Sequence, residues 1–243
     1  SLSSNEEAAY QKMIGRLDTI CHSAHQQRVA LFIDAEESWM QDAIDAACDL
    51  MMERYNKEYV TVYNTYQMYR HDRLDYLHSS FEAAKTKGYI LGAKLVRGAY
   101  MEKERERAAT KGYPSPIQPD KKSCDRDYND AVKFCVENYQ QIASCVASHN
   151  EYSTKYQIEM MQQMNIPKQH KHFNFCQLYG MSDHLTFNLA KSGYNVAKYV
   201  PYGPVKDVIP YLIRRANENS AVDTEVSREL KMIQEEQNRR KRN

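Results

Sequence analysis

Short β-rich apolar runs alternate with longer helical runs along almost the whole chain. The short runs, at 28–33, 59–64, 92–97, 143–148, 172–177 and 195–200, are predicted strands. The runs between them, 37–55, 73–87, 101–111, 124–140, 151–165 and 182–191, are predicted helices. A leading helix is expected over 5–26, with Ser4-Asn5-Glu6-Glu7 as a capping-box start. A further helical region runs from 204 to about 219, and Pro210 should kink it or delay its start. The charged segment from 225 onward reads as a solvated helix.

Strand followed by helix, repeated, implies parallel strands joined by right-handed crossovers. The chain has no Gly-x-Gly-x-x-Gly, which weakens the dinucleotide-binding form of the open sheet. The expectation is an α/β fold, a distorted (βα)8 TIM-like barrel. Its first strand is expected upstream of Ser1, outside this chain, and its eighth in the weak segment near 220–222. No linker or composition break divides 1–243, so one domain is expected, with 223–243 as a charged tail.

In such a barrel, chemistry sits at the C-terminal ends of the strands. Each predicted strand ends in polar residues that a purely structural strand does not need. The first ends in Asp34-Ala35-Glu36 and the second in Asn64. In the third, Lys94 and Arg97 flank Leu95-Val96, with Gly98-Ala99-Tyr100 following. The fourth leads to Ser148-His149-Asn150, the fifth to Gln177-Leu178-Tyr179-Gly180, and the sixth closes with Tyr199-Val200-Pro201-Tyr202-Gly203. Each has a bland alternative: Asp34 as a helix cap, Lys94 as a snorkelling lysine, Gly98 as a turn residue, Ser148-His149-Asn150 as a helix start. Six together at one end suit an extended anionic ligand beside a small carboxylate.

Arg214 and Arg215 follow the apolar run Val208-Ile209-Pro210-Tyr211-Leu212-Ile213. On a helix Tyr211 lies beside both, and Glu218 lies one turn beyond. Two guanidinium forks suit a carboxylate or a phosphate bidentately. A helix leaving the core with solvated arginines is the alternative.

Composition narrows the function. With 33 Lys plus Arg against 32 Asp plus Glu, no strongly basic field is available for nucleic acid. No apolar run approaches the length of a membrane span. The six cysteines form no Cys-x-x-Cys, so reduced thiols in a cytosolic or matrix compartment are expected and no metal is assigned. His170-Lys171-His172 reads as a polar loop and 101–107 as a solvated helix face. Asn238-Arg239-Arg240-Lys241-Arg242 reads as a soluble tail, with contact to an acidic membrane surface as the alternative. No Cys/His or Ser/His/Asp nucleophile stands out, which favours redox chemistry on a bound cofactor.

The segments Gly92-Ala93-Lys94-Leu95-Val96-Arg97-Gly98-Ala99-Tyr100, Ala147-Ser148-His149-Asn150 and Tyr211-Leu212-Ile213-Arg214-Arg215-Ala216-Asn217-Glu218-Asn219 resemble proline dehydrogenases. Leu31-Phe32-Ile33-Asp34-Ala35-Glu36, Tyr63-Asn64-Thr65-Tyr66-Gln67 and Gln177-Leu178-Tyr179-Gly180-Met181 fit the same family, in order over about 5–222 and closer to the stand-alone, mitochondrial-type branch. The resemblance implies non-covalent FAD and oxidation of L-proline to Δ1-pyrroline-5-carboxylate, with electrons passed to a membrane quinone. It implies a protein on the cytoplasmic or mitochondrial matrix side, peripherally membrane-associated. By resemblance, Arg214 and Arg215 pair with the proline carboxylate, and Tyr199, Tyr211, Tyr100 and Leu178 wall the ring. Lys94 lies near the flavin N5, and Asn64 meets the flavin ring edge. Arg97, Gly98, Ala99, Ser148 and His149 hold the ribityl and phosphate part. Asp34 orients active-site cations and Glu218 supports the arginine helix. The family's first-strand lysine, a further carboxylate contact, has no counterpart here. Hydroxyproline dehydrogenases tend to carry serine where Tyr199 stands, so Tyr199 favours proline. Oxidation of 4-hydroxyproline and a non-catalytic, ligand-binding barrel are the alternatives.

Overall fold

Burial at Gln41, Asp45, Cys48, Met52 and Tyr55, three or four residues apart, gives helix α2 (Ser38–Tyr55) one inward stripe. That stripe packs on strand β2 (Val62–Gln67), every residue of which is buried. The same construction recurs along the chain. The computed structural model describes residues 3–221 and 233–241, and side chains over 3–213 and 233–241.

The elements run α1 (Ser4–Gln26), β1 (Leu31–Ile33), α2, β2, α3 (Arg73–Lys87), β3 (Leu91–Val96), α4 (Met101–Lys111) and α5 (Lys121–Glu137). They continue with β4 (Ile142–Ala147), α6 (Glu151–Gln163), β5 (Phe173–Leu178), α7 (Asp183–Lys191), β6 (Val196–Tyr199) and α8 (Val205–Ala221). All strand pairs are parallel and lie in chain order, β1 to β6. The sheet curls into a half-barrel, with helices α2, α3, α5 and α7 packed on its strands. The expected α/β, TIM-like architecture is therefore present, as six strands among the described residues. The chain forms two compact units, one ending at Tyr199 and one beginning at Val200. The first holds the sheet; the second holds α8 and a helical segment over 233–241.

Alternation sorts each strand. Val62 and Tyr66 of β2, Leu91, Ala93 and Leu95 of β3, Ile142 and Val146 of β4, and Phe173 and Phe175 of β5 join helix residues in one apolar core. Each fully buried side chain of this size contributes about 1.5–3 kcal/mol. The alternate positions face the concave side: Phe32, Tyr63, Thr65, Gln67, Lys94, Cys145, Cys176, Leu178 and Tyr199.

Several boundaries differ from expectation. The N-cap of α1 is Ser3, its hydroxyl and amide both bonded to Glu6, so the capping box lies one residue earlier than Ser4 and Glu7. Strand β2 begins at Val62 rather than 59, because the buried Asn56 side chain accepts the amides of Thr61 and Val62 and holds the preceding loop. Asn64 is thus central in β2 and not at its end. Asp120 caps α5 through the Ser123 amide, starting that helix at Lys121 rather than 124. Glu37, not Asp34, is the N-cap residue of α2. The eighth strand expected near 220–222 is not formed where the chain is described: Ser220 and Ala221 continue α8, and 222 lies outside the described residues. Helix α8 starts at Val205 and runs through Pro210, which lies past the first turn and leaves the helix without the bond its N–H would give to the Lys206 carbonyl.

Candidate active site

Charge gathers on the concave face at the C-terminal ends of β1, β3 and β4. Lys94 is a lysine in mid-strand with only 11% of its side chain exposed. Such a cation is tolerated only when paired, and Lys94 ion-pairs with Asp34 just past β1. The ammonium also lies 5.6 Å from the centre of the Phe32 ring and 6.0 Å from that of Tyr199. Two aromatic faces and one carboxylate therefore hold this cation on strands β1, β3 and β6.

Arg97, just past β3, is fixed by three partners. Its Nε donates to Asp125 of α5 at 2.8 Å, one terminal nitrogen donates to Ser148 at 2.8 Å and the other to Ser153 of α6 at 3.1 Å. The guanidinium stacks 4.2 Å above the ring of Tyr128, whose hydroxyl donates to the Leu95 carbonyl. Burial raises the Asp125 carboxyl, but the bonds from Lys121 and Arg97 outweigh it and hold the group below its usual range. The backbone then turns at Gly98, with φ +132°, where a Cβ would lie 2.4 Å from the Tyr69 ring. Only glycine fits that approach. Tyr100 donates to Glu36 at 2.8 Å, tying the loop after β3 to the loop after β1.

Ser148 accepts from Arg97 and from the Asn150 amide, and the Asn150 side chain caps α6 through Ser153. His149 Nδ1 meets the Ser182 hydroxyl at 2.9 Å. Ser182, at the start of α7, has φ +49°. Leu178 ends β5, and its carbonyl accepts from Lys198 at 3.3 Å.

Asn64 is placed differently from expectation. It is fully buried, its amide nitrogen donates to Asp45 of α2 at 2.7 Å, and its oxygen accepts from the Thr65 amide. Asp45 also takes bonds from Gln41 and Arg73, and the Arg73 guanidinium lies 4.0 Å from the centre of the Tyr76 ring. Asn64 thus serves a buried charge network on the helix side of the sheet. Asp49, beside that network, is pushed up to about 6 by burial and by the charge of Asp45.

Gln67 occupies the concave face instead, 2% exposed, with a buried Oε1 that has no hydrogen-bond partner. Cys145 and Cys176 face the same side on adjacent strands, both as buried free thiols. Each acts on the other: the neighbouring thiol lowers Cys176 and, together with burial, raises Cys145. Sequence reasoning singled out neither Gln67 nor this thiol pair as site residues. Their period-two positions in β2, β4 and β5 are the signal that could have found them. Asp125, Ser153 and Ser182 were also missed, since they come from helices distant in sequence.

The structure thus brings together Asp34, Lys94 and Tyr199, and separately Arg97, Gly98, Ser148 and His149 at neighbouring strand ends. Arg214, Arg215 and Glu218 lie on α8, with side chains outside the described residues, and Tyr211 precedes them on the same helix.

A curled parallel sheet with its charge at the C-terminal strand ends defines a TIM-like βα-barrel domain. Among such barrels, this chain belongs to the proline dehydrogenase family, whose model, Proline dehydrogenase, matches residues 2–228. It is similar to Proline dehydrogenase 1, mitochondrial, of Drosophila melanogaster, with 38% identity over 97% of this chain and 36% of that protein. It is also similar to Hydroxyproline dehydrogenase of Xenopus laevis, with 37% identity over 98% of this chain and 52% of that protein. Proline utilization A from Bdellovibrio bacteriovorus, inactivated by N-propargylglycine, shares the fold with a TM-score of 0.81 and 25% identity, over 89% of this chain and 22% of that one. The chain therefore spans between about a third and a half of the length of these curated relatives.

Proposed function

We propose that the protein oxidises L-proline to Δ1-pyrroline-5-carboxylate, using FAD, with a membrane quinone as final electron acceptor. The observation that carries this reading is Lys94, a nearly buried cation held on the concave face by Asp34, Phe32 and Tyr199. A fixed cation in a water-poor pocket stabilises negative charge that builds up during reaction.

The donor set fits a flavin dinucleotide. Arg97 is held by Asp125, Ser148 and Ser153, which fixes a cation beside the place proposed for the phosphates. Gly98 lets the backbone approach closely, and Gln67 Oε1 is a buried acceptor in need of an N–H donor. Arg97, Gly98, Ala99, Ser148 and His149 would hold the ribityl and phosphate part; Gln67 would meet the ring edge, with Asn64 steadying β2 behind it. When bound, the flavin supplies the hydride acceptor.

The remaining roles belong to this chain's own residues. Arg214 and Arg215 bind the substrate carboxylate, which fixes the donor carbon in place. Tyr199, Tyr211, Tyr100 and Leu178 wall the ring and exclude water. Asp34 keeps Lys94 in position, and Glu218 supports the arginine helix. Curated relatives are named mitochondrial, and no helix among the described residues is long and apolar enough to cross a membrane. The relatives' names support a mitochondrial protein; the proposal places it on the matrix side, meeting the membrane peripherally.

The test is direct. The full-length protein should carry a flavin absorption spectrum and turn over proline with a soluble quinone analogue. Arg214→Met or Arg215→Met should raise the proline KM at least roughly 100-fold, the loss of a charged, bidentate contact, with the flavin spectrum unchanged. A colourless protein that stays apo with added FAD, or an unchanged KM, overturns the reading. The hydroxyproline dehydrogenase relative motivates a second reading, in which 4-hydroxyproline is the better substrate. Comparing kcat/KM on both decides between them.

A further inference from the structure

We infer that Glu104 is a positioning residue for the proposed reaction, tying the loop that carries Asp34 to the loop that carries Arg97 and Gly98. The inference rests on that reaction and adds a residue outside the site described above.

Within the charged run 101–107, expected to be solvated, Glu104 is fully buried. A buried carboxylate persists only where bonds hold its charge. Glu104 accepts from the Ser38 amide at 2.6 Å and from the Ser38 hydroxyl at 2.7 Å. Ser38 is the first residue of α2, and the N-cap residue Glu37 makes no capping bond with its side chain. The first amides of a helix lack partners within it, and negative charge is favoured there. Glu104 supplies both the acceptor and the charge, from a different helix 66 residues along the chain.

Consecutive residues of one segment meet one face of α4. Glu36 accepts from Tyr100 at 2.8 Å, Glu37 pairs with Lys103, and Ser38 meets Glu104. The Arg107 guanidinium lies 4.2 Å from the centre of the Trp39 ring. Positions 100, 103, 104 and 107 share a face of a helix. Burial ranks the four contacts. The Lys103 side chain is 59% exposed and Trp39 is 39% exposed, so their contacts are worth little. The Glu104 bonds are short, charge-assisted and buried, and they dominate. Helix α4 does not pack along any strand among the described residues, so this contact sets where α4 begins. Asp34 lies four residues before Ser38, and Gly98 six before Glu104. Holding Ser38 on Glu104 therefore fixes Asp34 and the Gly98 turn relative to one another.

The experiment compares Glu104→Ala, Glu104→Gln and Ser38→Ala in the full-length protein, each with circular dichroism matching wild type. Glu104→Ala should lower kcat for proline roughly 10-fold or more while KM moves less than about 3-fold, because the substrate carboxylate keeps its own contacts and orientation is lost. Glu104→Gln should recover most of kcat, since its amide group can accept from the Ser38 amide and donate to the Ser38 hydroxyl. Ser38→Ala keeps the amide bond and should fall between wild type and Glu104→Ala. Wild-type kcat in folded Glu104→Ala overturns the inference, as does Glu104→Gln as slow as Glu104→Ala. Should Glu104→Ala fail to fold, an unchanged kcat in Ser38→Ala overturns it. Hydrogen exchange on the flavin-free protein reads the tie without the reaction. Glu104→Ala should speed exchange over 34–39 and over 97–101 together. Faster exchange over 34–39 alone makes Glu104 a cap for α2 and nothing more, which also overturns the inference. Wild type that leaves proline unoxidised overturns the proposed reaction instead, and the exchange result then decides the tie.

Discussion

Asp34 and Lys94 pair across a strand that separates them. Lys94 is on β3, Asp34 follows β1, and β2 runs between. The contact is possible only because the sheet curls and both side chains point into the hollow. It fixes the loop after β1 over the middle of the site, where a flat sheet would leave the two charges apart.

This pair gives the first prediction. Lys94→Met should lower proline turnover by roughly 100-fold or more, the scale of removing one pre-set electrostatic contact. Asp34→Asn should have a smaller effect, since Lys94 keeps its charge and both ring contacts. Stopped-flow measurement of the reductive half-reaction separates the two variants. Equal losses would show that Asp34 does more than position Lys94.

Gly98→Ala should destabilise the protein. The added Cβ would meet the Tyr69 ring at 2.4 Å, in backbone with φ +132°. The expected loss is about 2–4 kcal/mol, from overpacking and strain together. Tyr69→Ala should itself cost more, as truncation of a buried aromatic ring, but Gly98→Ala should cost less in that background than in the wild type, because the clash is gone and only the backbone strain is left. Thermal unfolding of the single and double variants checks this.

The Arg73–Asp45 pair, 3% and 6% exposed, makes a separate prediction. Arg73→Met alone should cost about 3–5 kcal/mol, because Asp45 is left charged and buried. Arg73→Met combined with Asp45→Asn should cost much less than the sum of the single changes. A double-mutant cycle in urea measures the difference.

Asp49 sets a pH dependence. Its folded value of about 6 lies above its usual value of 3.8. The folded state therefore holds the proton more tightly than the unfolded chain, and this group's contribution is lost as pH rises from about 4 through 6. The penalty at pH 7 is up to about 3 kcal/mol by linkage. Asp49→Asn should stabilise the protein at pH 7 to 8 and have little effect near pH 4. A variant stabilised equally at both values would contradict this.

Tyr199 governs substrate choice in the proposed reaction. It is 38% exposed and stands beside Lys94. Tyr199→Ser should lower kcat/KM for proline and raise the ratio of hydroxyproline to proline turnover, since a smaller side chain leaves room for a hydroxyl. An unchanged ratio would remove Tyr199 from the substrate pocket.

Strand order and helix positions were legible because each helix carries a one-sided apolar stripe and each strand is short and β-rich. Lys94, Arg97 and His149 stood out because a charged or imidazole side chain at a strand end needs a reason. Asn64 was misread because β2 is buried on both faces. No alternation then marked its end, and the boundary was drawn at the first polar residue. Which polar atoms are spent was not legible either. That Asn64 serves Asp45 while Gln67 keeps an unused oxygen depends on α2, a separate element that packs behind the strand. The thiol pair was invisible for the same reason. Cys145 and Cys176 are 31 residues apart, and only the register of β4 on β5 makes them neighbours.

Ser182 sits where its backbone is unfavourable, with φ +49°, and its hydroxyl meets His149. Glycine would adopt that conformation more easily, by about 1 kcal/mol, but would take away the hydroxyl that meets the imidazole. If His149 holds the cofactor as proposed, heat resistance and ligand affinity pull in opposite directions at this one position: a Ser182→Gly protein would be the sturdier barrel and the weaker cofactor binder, and selection for robustness alone would drift toward it.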